Sequence, residues 1–365
     1  MNKTCIGCGA ILQSEEKSQI GYIPKSALSD DDVYCQRCFQ LRHYNKNQAV
    51  SLEDDDFLQM VSSIGDTKSL VVHLIDIFDV NGTLLHHLPR IVGNNDVILV
   101  GNKLDLLPKS TNRTKLTHWL FRLAKASGIS ILDVFLISSA KGHGFDELLK
   151  KMEVERNNKD IYIVGVTNVG KSTFVNRLIE RTTKEKNAIT TSYFPGTTLG
   201  FIHIPIDTNS TVIDTPGIVN KQQMAHYLSN RDLKLVTPNK EIKPKNYQLN
   251  PKQTLFVGGL ARVDYLKGEK QTFVCYFSNR LKIHRTKLDK ADELYEQQVG
   301  KLLLPPDNET LKILPELTRS TFRIEEAYTD IVFPGLGWIT IIDGNASIEI
   351  YYPKGIAVSL RKSFK

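Results

Sequence analysis

Gly165-Val166-Thr167-Asn168-Val169-Gly170-Lys171-Ser172 decides how this chain is read. It follows the apolar run Ile161-Tyr162-Ile163-Val164 and opens a helical pattern from Ser172 to Ile179. A buried strand, the spacing G-x-x-x-x-G-K-[ST] and a helix together specify a phosphate cradle. Glycines 165 and 170 let backbone N–H groups close around phosphates, and the helix N-terminus adds partial positive charge. The phosphate-facing run is Val169, Gly170, Lys171, Ser172 and Thr173. Within it Lys171 reaches the β- and γ-phosphates, and the Ser172 hydroxyl is placed to ligate Mg²⁺.

Four further motifs flank this loop, and their order is unusual. Asn102-Lys103-Leu104-Asp105 and Ser139-Ala140-Lys141 lie upstream, each after an apolar run, Val97 to Val100 and Val134 to Ile137. A carboxylate at Asp105 can accept from both the ring N–H and the exocyclic amine of guanine. Adenine lacks that donor pair, and a site built for paired hydrogen bonds rejects an analogue that leaves them unmade. Ala140 offers its backbone N–H to the guanine oxygen. Downstream come Pro195-Gly196-Thr197-Thr198 and Asp214-Thr215-Pro216-Gly217. Asp214 ends a short strand, Thr211-Val212-Ile213, so its carboxylate reaches the Mg²⁺ shell, and the Gly217 amide faces the γ-phosphate. Thr198 is the candidate to close over Mg²⁺, with Thr197 adjacent and chemically equivalent. The base-reading half therefore precedes the phosphate-reading half, and the expectation is a circularly permuted P-loop GTPase domain that binds GTP and GDP.

Two positions shape the expected chemistry. Ile218 follows the Asp214–Gly217 turn, where Ras-like enzymes carry a water-orienting glutamine. An aliphatic side chain cannot polarise water. Asn168 occupies the loop position at which a subset of GTPases holds K⁺ near the phosphates, and a monovalent cation there supplies charge that an arginine finger supplies elsewhere. Slow hydrolysis, faster in K⁺ than in Na⁺, is the expectation; the alternative is that Asn168 only hydrogen-bonds within the loop.

Cys5 and Cys8, then Cys35 and Cys38, form two Cys-x-x-Cys pairs separated by 26 residues. Four thiolates suit closed, tetrahedral Zn²⁺ coordination. Disulfides are the alternative, His43 is a possible competing ligand, and Cys275, amid apolar residues, reads as a core thiol. The N-terminus shows no apolar signal segment, and no apolar stretch approaches the roughly 20 residues of a membrane span, which points to a cytoplasmic protein without a membrane partner.

At 365 residues and 41% hydrophobic, the chain has room for two or three domains. The pattern divides near residues 50 and 225, giving a zinc-binding domain (1–50), an α/β GTPase domain with a mostly parallel sheet (51–225) and a basic, largely β domain (226–365). In the last of these, strand patterns run over Gln253 to Tyr265 and Thr272 to Phe277. A helix is expected around Lys290 to Leu303, and Pro238 to Pro251 reads as a connector. Residues 231–291 carry 14 Lys and Arg against 5 Asp and Glu, a net charge of +9 that suits a polyanion. Arg280, Lys282, Arg285 and Lys287 are the candidate RNA contacts, with Tyr276 and Phe277 beside them for stacking. The basic, aromatic segment Gln36 to Asn45 is a second candidate for RNA.

Taken together, the four-Cys knuckle, the permuted motif order, Asn168, Ile218 and the Phe333-Pro334-Gly335-Leu336-Gly337-Trp338 turn resemble the YqeH family of circularly permuted GTPases. The resemblance covers the whole chain. It implies a zinc-finger domain, a GTPase core, a carboxy-terminal domain that binds RNA, and a role in assembly of the small ribosomal subunit through its rRNA. A monomer is the default. A rival reading is a scaffold that senses nucleotide, with incidental turnover.

Overall fold

The structure is a computed structural model that describes residues 3, 11–16, 21–24, 35–36, 61–185, 202–205 and 210–364. The chain separates into two compact units. The first comprises residues 1–76, 84–104 and 117–219, and the second comprises residues 77–83, 105–116 and 220–365.

The first unit is built on a six-stranded sheet. Its strands are β1 (Ser69–Asp76), β2 (Asp96–Asn102), β3 (Asp133–Leu136), β4 (Asp160–Val164), β5 (Ile202–Pro205) and β6 (Thr211–Asp214). They lie in the order β3-β2-β1-β4-β6-β5. Every pairing is parallel except β5 with β6. All eight residues of β1 are buried, which is why Ser69-Leu70-Val71-Val72-His73-Leu74-Ile75-Asp76 shows no apolar–polar alternation: a central parallel strand is covered on both faces. Helices α1 (Leu88–Val92), α2 (Arg113–Ala126), α3 (Phe145–Arg156) and α4 (Lys171–Glu185) alternate with the strands. Phe145 of α3 and Phe174 of α4, both fully buried, meet with ring centroids 5.2 Å apart.

Parallel order has a functional consequence. The segments after β2, β3, β4 and β6 all leave from the carboxyl edge of one sheet, the edge at which open α/β sheets place their ligands. Asn102 and Asp76 are register partners there, as are Asp214 and Ile163. The permuted chain thus rebuilds a conventional neighbourhood from an unconventional order, with the phosphate-loop strand β4 between β1 and β6.

Two five-stranded antiparallel sheets dominate the second unit, in the orders β16-β13-β14-β10-β7 and β11-β8-β9-β15-β12. The strands are β7 (Lys245–Leu249), β8 (Gln253–Val257), β9 (Ala261–Lys267), β10 (Gln271–Phe277), β11 (Ile283–Lys287), β12 (Leu317–Ile324), β13 (Thr329–Phe333), β14 (Gly337–Ile341), β15 (Ala346–Pro353) and β16 (Ser359–Lys362). Phe273, Cys275, Ile331, Phe333 and Ile339 from one sheet share a core with Leu255, Val263, Tyr265, Ile348 and Ile350 from the other. Such alternate-residue facing makes a β-sandwich. Short helices α5 (Asn230–Val236), α6 (Ala291–Gln298) and α7 (Asn308–Ile313) complete it.

Three expectations are revised. The 238–251 connector contains an edge strand, β7, whose polar alternation disguised it. The helix expected over 290–303 ends at Gln298. Tyr276 and Phe277 are 1% and 4% exposed, with Tyr276 stacked on Trp338 at 4.7 Å, so neither offers a face to a base.

Candidate nucleotide-binding site

The phosphate loop leaves β4 at Gly165 and enters α4 at Lys171. Its glycines are required by crowding. A Cβ at Gly170, whose φ is +92°, would lie 2.5 Å from Asn102 Nδ2. That closeness reflects a bond network: Asn102 Nδ2 donates to Val169 O at 2.8 Å, and Asn102 Oδ1 accepts from the Ser139 N–H at 2.9 Å. A single buried amide therefore ties the phosphate loop to both upstream motifs.

Lys103 makes a second tie. Its Nζ donates to Asn168 O and to the Asp76 carboxylate, each at 2.6 Å. Asp76, at the end of β1, was not anticipated from sequence; the available signal is a carboxylate closing a buried strand, the same placement as Asn102 and Asp214. Asp105 follows in the helical turn Leu104–Leu106.

Lys171 and Ser172 are 6% and 9% exposed at the first turn of α4. Lys171 Nζ lies 3.1 Å from Asp214 Oδ1 and also donates to Thr215 O. Thr215 is pinned by its hydroxyl to Ile163 O at 2.9 Å. The turn that follows is stitched to the phosphate loop through its backbone. Ile218 N–H donates to Gly165 O at 3.2 Å, and Thr167 N–H donates to Ile218 O at 2.8 Å. A Cβ at Gly217 would come within 3.0 Å of Thr167 Cγ2. The 165–172 loop and the 214–218 turn thus form one bonded unit.

Hard oxygen donors suit Mg²⁺, and the buried Ser172 hydroxyl at the helix start and Asp214 carboxylate at the strand end are donors that would hold it. Thr197, Thr198, Cys5, Cys8 and Cys38 lie outside the described residues, as does His43. Cys35 is buried, and no cluster of metal-ligating side chains occurs among the described residues. No helix among them is long and apolar enough to cross a membrane.

In the second unit, Arg285 and Lys287 lie on β11, an edge strand, and Arg280 and Lys282 lie in the turn before it. All four are exposed. Arg285 also donates to Gln248 O of β7 at 3.3 Å, so two sheet edges meet in this basic strip. Cys275 is buried, and burial pushes its thiol pKa far up, as a core thiol requires.

Comparison with known proteins agrees with this geometry. A GTPase family described as "50S ribosome-binding GTPase" matches residues 160–255, beginning at β4, with the 102–105 and 139–141 motifs before the matched region. The family described as "YqeH-like, C-terminal" matches residues 270–364. "Uncharacterized protein YqeH" of Bacillus subtilis is 52% identical, over 98% of both chains. The chain belongs to the YqeH family. Relatives reach beyond bacteria: "NO-associated protein 1, chloroplastic/mitochondrial" of Arabidopsis thaliana is 30% identical over 92% of this chain and 69% of its own length. "Ribosome biogenesis GTPase A" of Thermotoga maritima is 32% identical over 34% of this chain and 42% of its own. As a member of the YqeH family, the chain carries a circularly permuted GTPase domain with a strand-rich carboxy-terminal region.

Proposed function

We propose that the chain is a GTP-hydrolysing molecular switch in assembly of the small ribosomal subunit, binding precursor rRNA in its GTP-bound state. The observation that carries this reading is the convergence of Asn102, Lys103, Ser139, the 165–172 loop and the 214–218 turn on one sheet edge.

Each group has a role. Asp105 pairs with the guanine N–H and amine, and Ala140 N–H meets the guanine oxygen. Backbone N–H groups of the 165–172 loop and Lys171 hold the phosphates, which places Lys171 against charge that develops during transfer. Mg²⁺, held by Ser172, Asp214 and Thr198, would neutralise the β- and γ-phosphates. Asn168 would hold K⁺, which would supply positive charge during transfer. The sparse catalytic equipment follows from Ile218, which contributes only backbone bonds, so unaided hydrolysis is slow. Loss of the γ-phosphate frees the 214–218 turn, and the chain runs from that turn into the second unit at residue 220.

Cys5, Cys8, Cys35 and Cys38 would hold Zn²⁺ in a domain over residues 1–50. The strip of Arg280, Lys282, Arg285 and Lys287 neutralises RNA phosphates. Similarity to a ribosome-binding GTPase family and to a ribosome biogenesis GTPase supports a ribosomal target; the family is described by the 50S particle, whereas the YqeH resemblance implies the small subunit.

Co-sedimentation with separated 30S and 50S subunits tests the reading, in a non-hydrolysable GTP analogue and in GDP, at two K⁺ concentrations. Analogue-dependent, salt-weakened association with 30S supports it. Association with 50S alone, or with neither, refutes the small-subunit assignment. The second reading, a nucleotide-sensing scaffold, is favoured by Ile218. It predicts association indifferent to nucleotide and normal cycling by a variant that binds GTP without hydrolysing it.

A further inference from the structure

The Ser138–His143 loop spends its backbone donors in a revealing way. Ser138 N–H donates to His143 O at 3.0 Å, and Ser139 N–H to Asn102 Oδ1 at 2.9 Å. Lys141 and Gly142 N–H groups both donate to Ser138 O, at 3.2 and 2.7 Å. Ala140 is exposed, and among the described residues its N–H has no acceptor.

On the carbonyl side of the same peptides stands Arg177, six residues beyond Lys171 on α4. Its Nε donates to Ser139 O at 3.1 Å and an Nη to Ala140 O at 3.0 Å. A Cβ at Gly142 would lie 3.3 Å from the other Nη, so the guanidinium fills the inside of the loop. Among the described residues no carboxylate pairs with it; its charge is directed to two carbonyls.

In a planar trans peptide, the N–H of one residue points opposite to the carbonyl of the residue before it. Fixing Ser139 C=O toward α4 therefore aims Ala140 N–H away from α4. The planar, forked guanidinium holds two consecutive peptides at once, which a point charge cannot do.

We propose that Arg177 is a positioning residue for base selection, acting through the Ser139–Ala140 peptide to aim the Ala140 N–H at the guanine oxygen. This rests on the guanine-binding reading above. It makes the phosphate-loop helix a direct support of the base-reading loop.

Isothermal titration of the full chain with GDP, 6-thio-GDP and IDP, in Mg²⁺ and K⁺, isolates the contact. Sulfur at position 6 is a weak acceptor but leaves the ring N–H and amine that Asp105 reads; IDP keeps the oxygen and lacks the amine. Arg177→Ala should weaken GDP binding roughly 3- to 10-fold, the value of about one hydrogen bond. Its 6-thio-GDP affinity should change less than about twofold, and its GDP-to-IDP ratio should stay at the unmodified value. Arg177→Lys, which keeps the charge and the helix contact but not the fork, should recover only part of the GDP affinity, and it stands in if the alanine variant does not fold. Equal weakening of all three ligands, by either variant, would show a merely structural contact and overturn the proposal. Unchanged GDP affinity would overturn it as well. If the unmodified protein shows no preference for GDP over IDP, the guanine reading itself fails first, and the proposal falls with it.

Discussion

Asn102→Asp is the sharpest perturbation of the site, because it changes one atom pair and keeps the shape. Asn102 is 2% exposed and makes two bonds, donating to Val169 O at 2.8 Å and accepting from Ser139 N–H at 2.9 Å. The substitution keeps the acceptor and replaces the donor with an oxygen facing a carbonyl oxygen. Above neutral pH the introduced carboxylate loses about 1 kcal/mol of hydrogen bonding and leaves a buried carbonyl unsatisfied, a further ~1–3 kcal/mol. The expected cost is roughly 2–4 kcal/mol out of a total stability of about 5–15 kcal/mol. When protonated, the same group donates to Val169 O and restores the bond. Burial and the facing carbonyl favour that neutral form, so its pKa is raised on folding. A raised carboxylate pKa means that the folded state binds the proton more tightly than the unfolded state. The variant is therefore least destabilised in acid and loses up to ~1.4 kcal/mol per pH unit as pH rises toward the folded pKa. Urea unfolding of nucleotide-free protein at pH 5, 6, 7 and 8 measures this as a difference from the unmodified chain. Asn102→Ala serves as the reference, since it breaks both bonds with a cost that does not depend on pH. An Asn102→Asp penalty below about 0.5 kcal/mol, or one flat in pH, would refute the network as drawn.

Three further outcomes follow from the same geometry. His73, fully buried on β1, accepts from Leu85 N–H at Nε2 (3.3 Å) and faces Val164 O through Nδ1 (3.4 Å); burial lowers its pKa to about 4 despite the carbonyl. Its contribution is intact above the unfolded pKa of 6.5, and as pH falls from there to about 4 the chain should lose about 3 kcal/mol that His73→Gln does not lose, read by urea unfolding across that range. Gly217→Ala drives a methyl to 3.0 Å from Thr167 Cγ2, so stopped-flow fluorescence with labelled nucleotides should show affinity for a GTP analogue falling more than affinity for GDP; equal losses would disconnect the turn from the γ-phosphate. Arg361→Ala removes the charge partner of Asp330, which is fully buried, keeps only neutral donors such as Thr340 Oγ1 at 2.7 Å, and has its carboxyl already pushed up by burial against the pull of Arg361, 3.1 Å away. A loss of about 3–5 kcal/mol in the second unit is expected by differential scanning calorimetry, and a shift under 1 kcal/mol would show that the pair is dispensable.

What the sequence disclosed and what it hid divide along physical lines. The parallel sheet was legible because a strand buried on both faces reads as an unbroken apolar run, and Val97 to Val100 falls within the buried part of β2. The phosphate loop was legible because backbone crowding admits only glycine at residue 170. Arg177 was hidden: an arginine on a helix flank carries no spacing signal, and its target is a pair of backbone carbonyls. The reading of Tyr276 and Phe277 as a stacking platform failed for a related reason. A strand displays aromatic side chains only if nothing covers its face, and cover comes from residues far away in sequence. Trp338 stacks on Tyr276, while Phe78 and Phe364 pack against Trp338 at 5.7 and 6.4 Å. Phe78 belongs to the segment 77–83, which leaves the end of β1 and joins the second unit, where Asn81 Oδ1 accepts from Arg361 at 2.6 Å and Gly82 O accepts from Asn220 Nδ2 at 2.9 Å. No periodicity of its own could have announced so short a segment. Yet Asn220 is the first residue of the second unit after the 214–218 turn, so the same seven-residue segment that hides the aromatic face also grips the chain emerging from that turn. On the proposed RNA-binding reading, the contact would fall to the edge strand β11, where backbone pairing on one side only leaves Arg285 and Lys287 exposed, and charge rather than stacking would dominate recognition there.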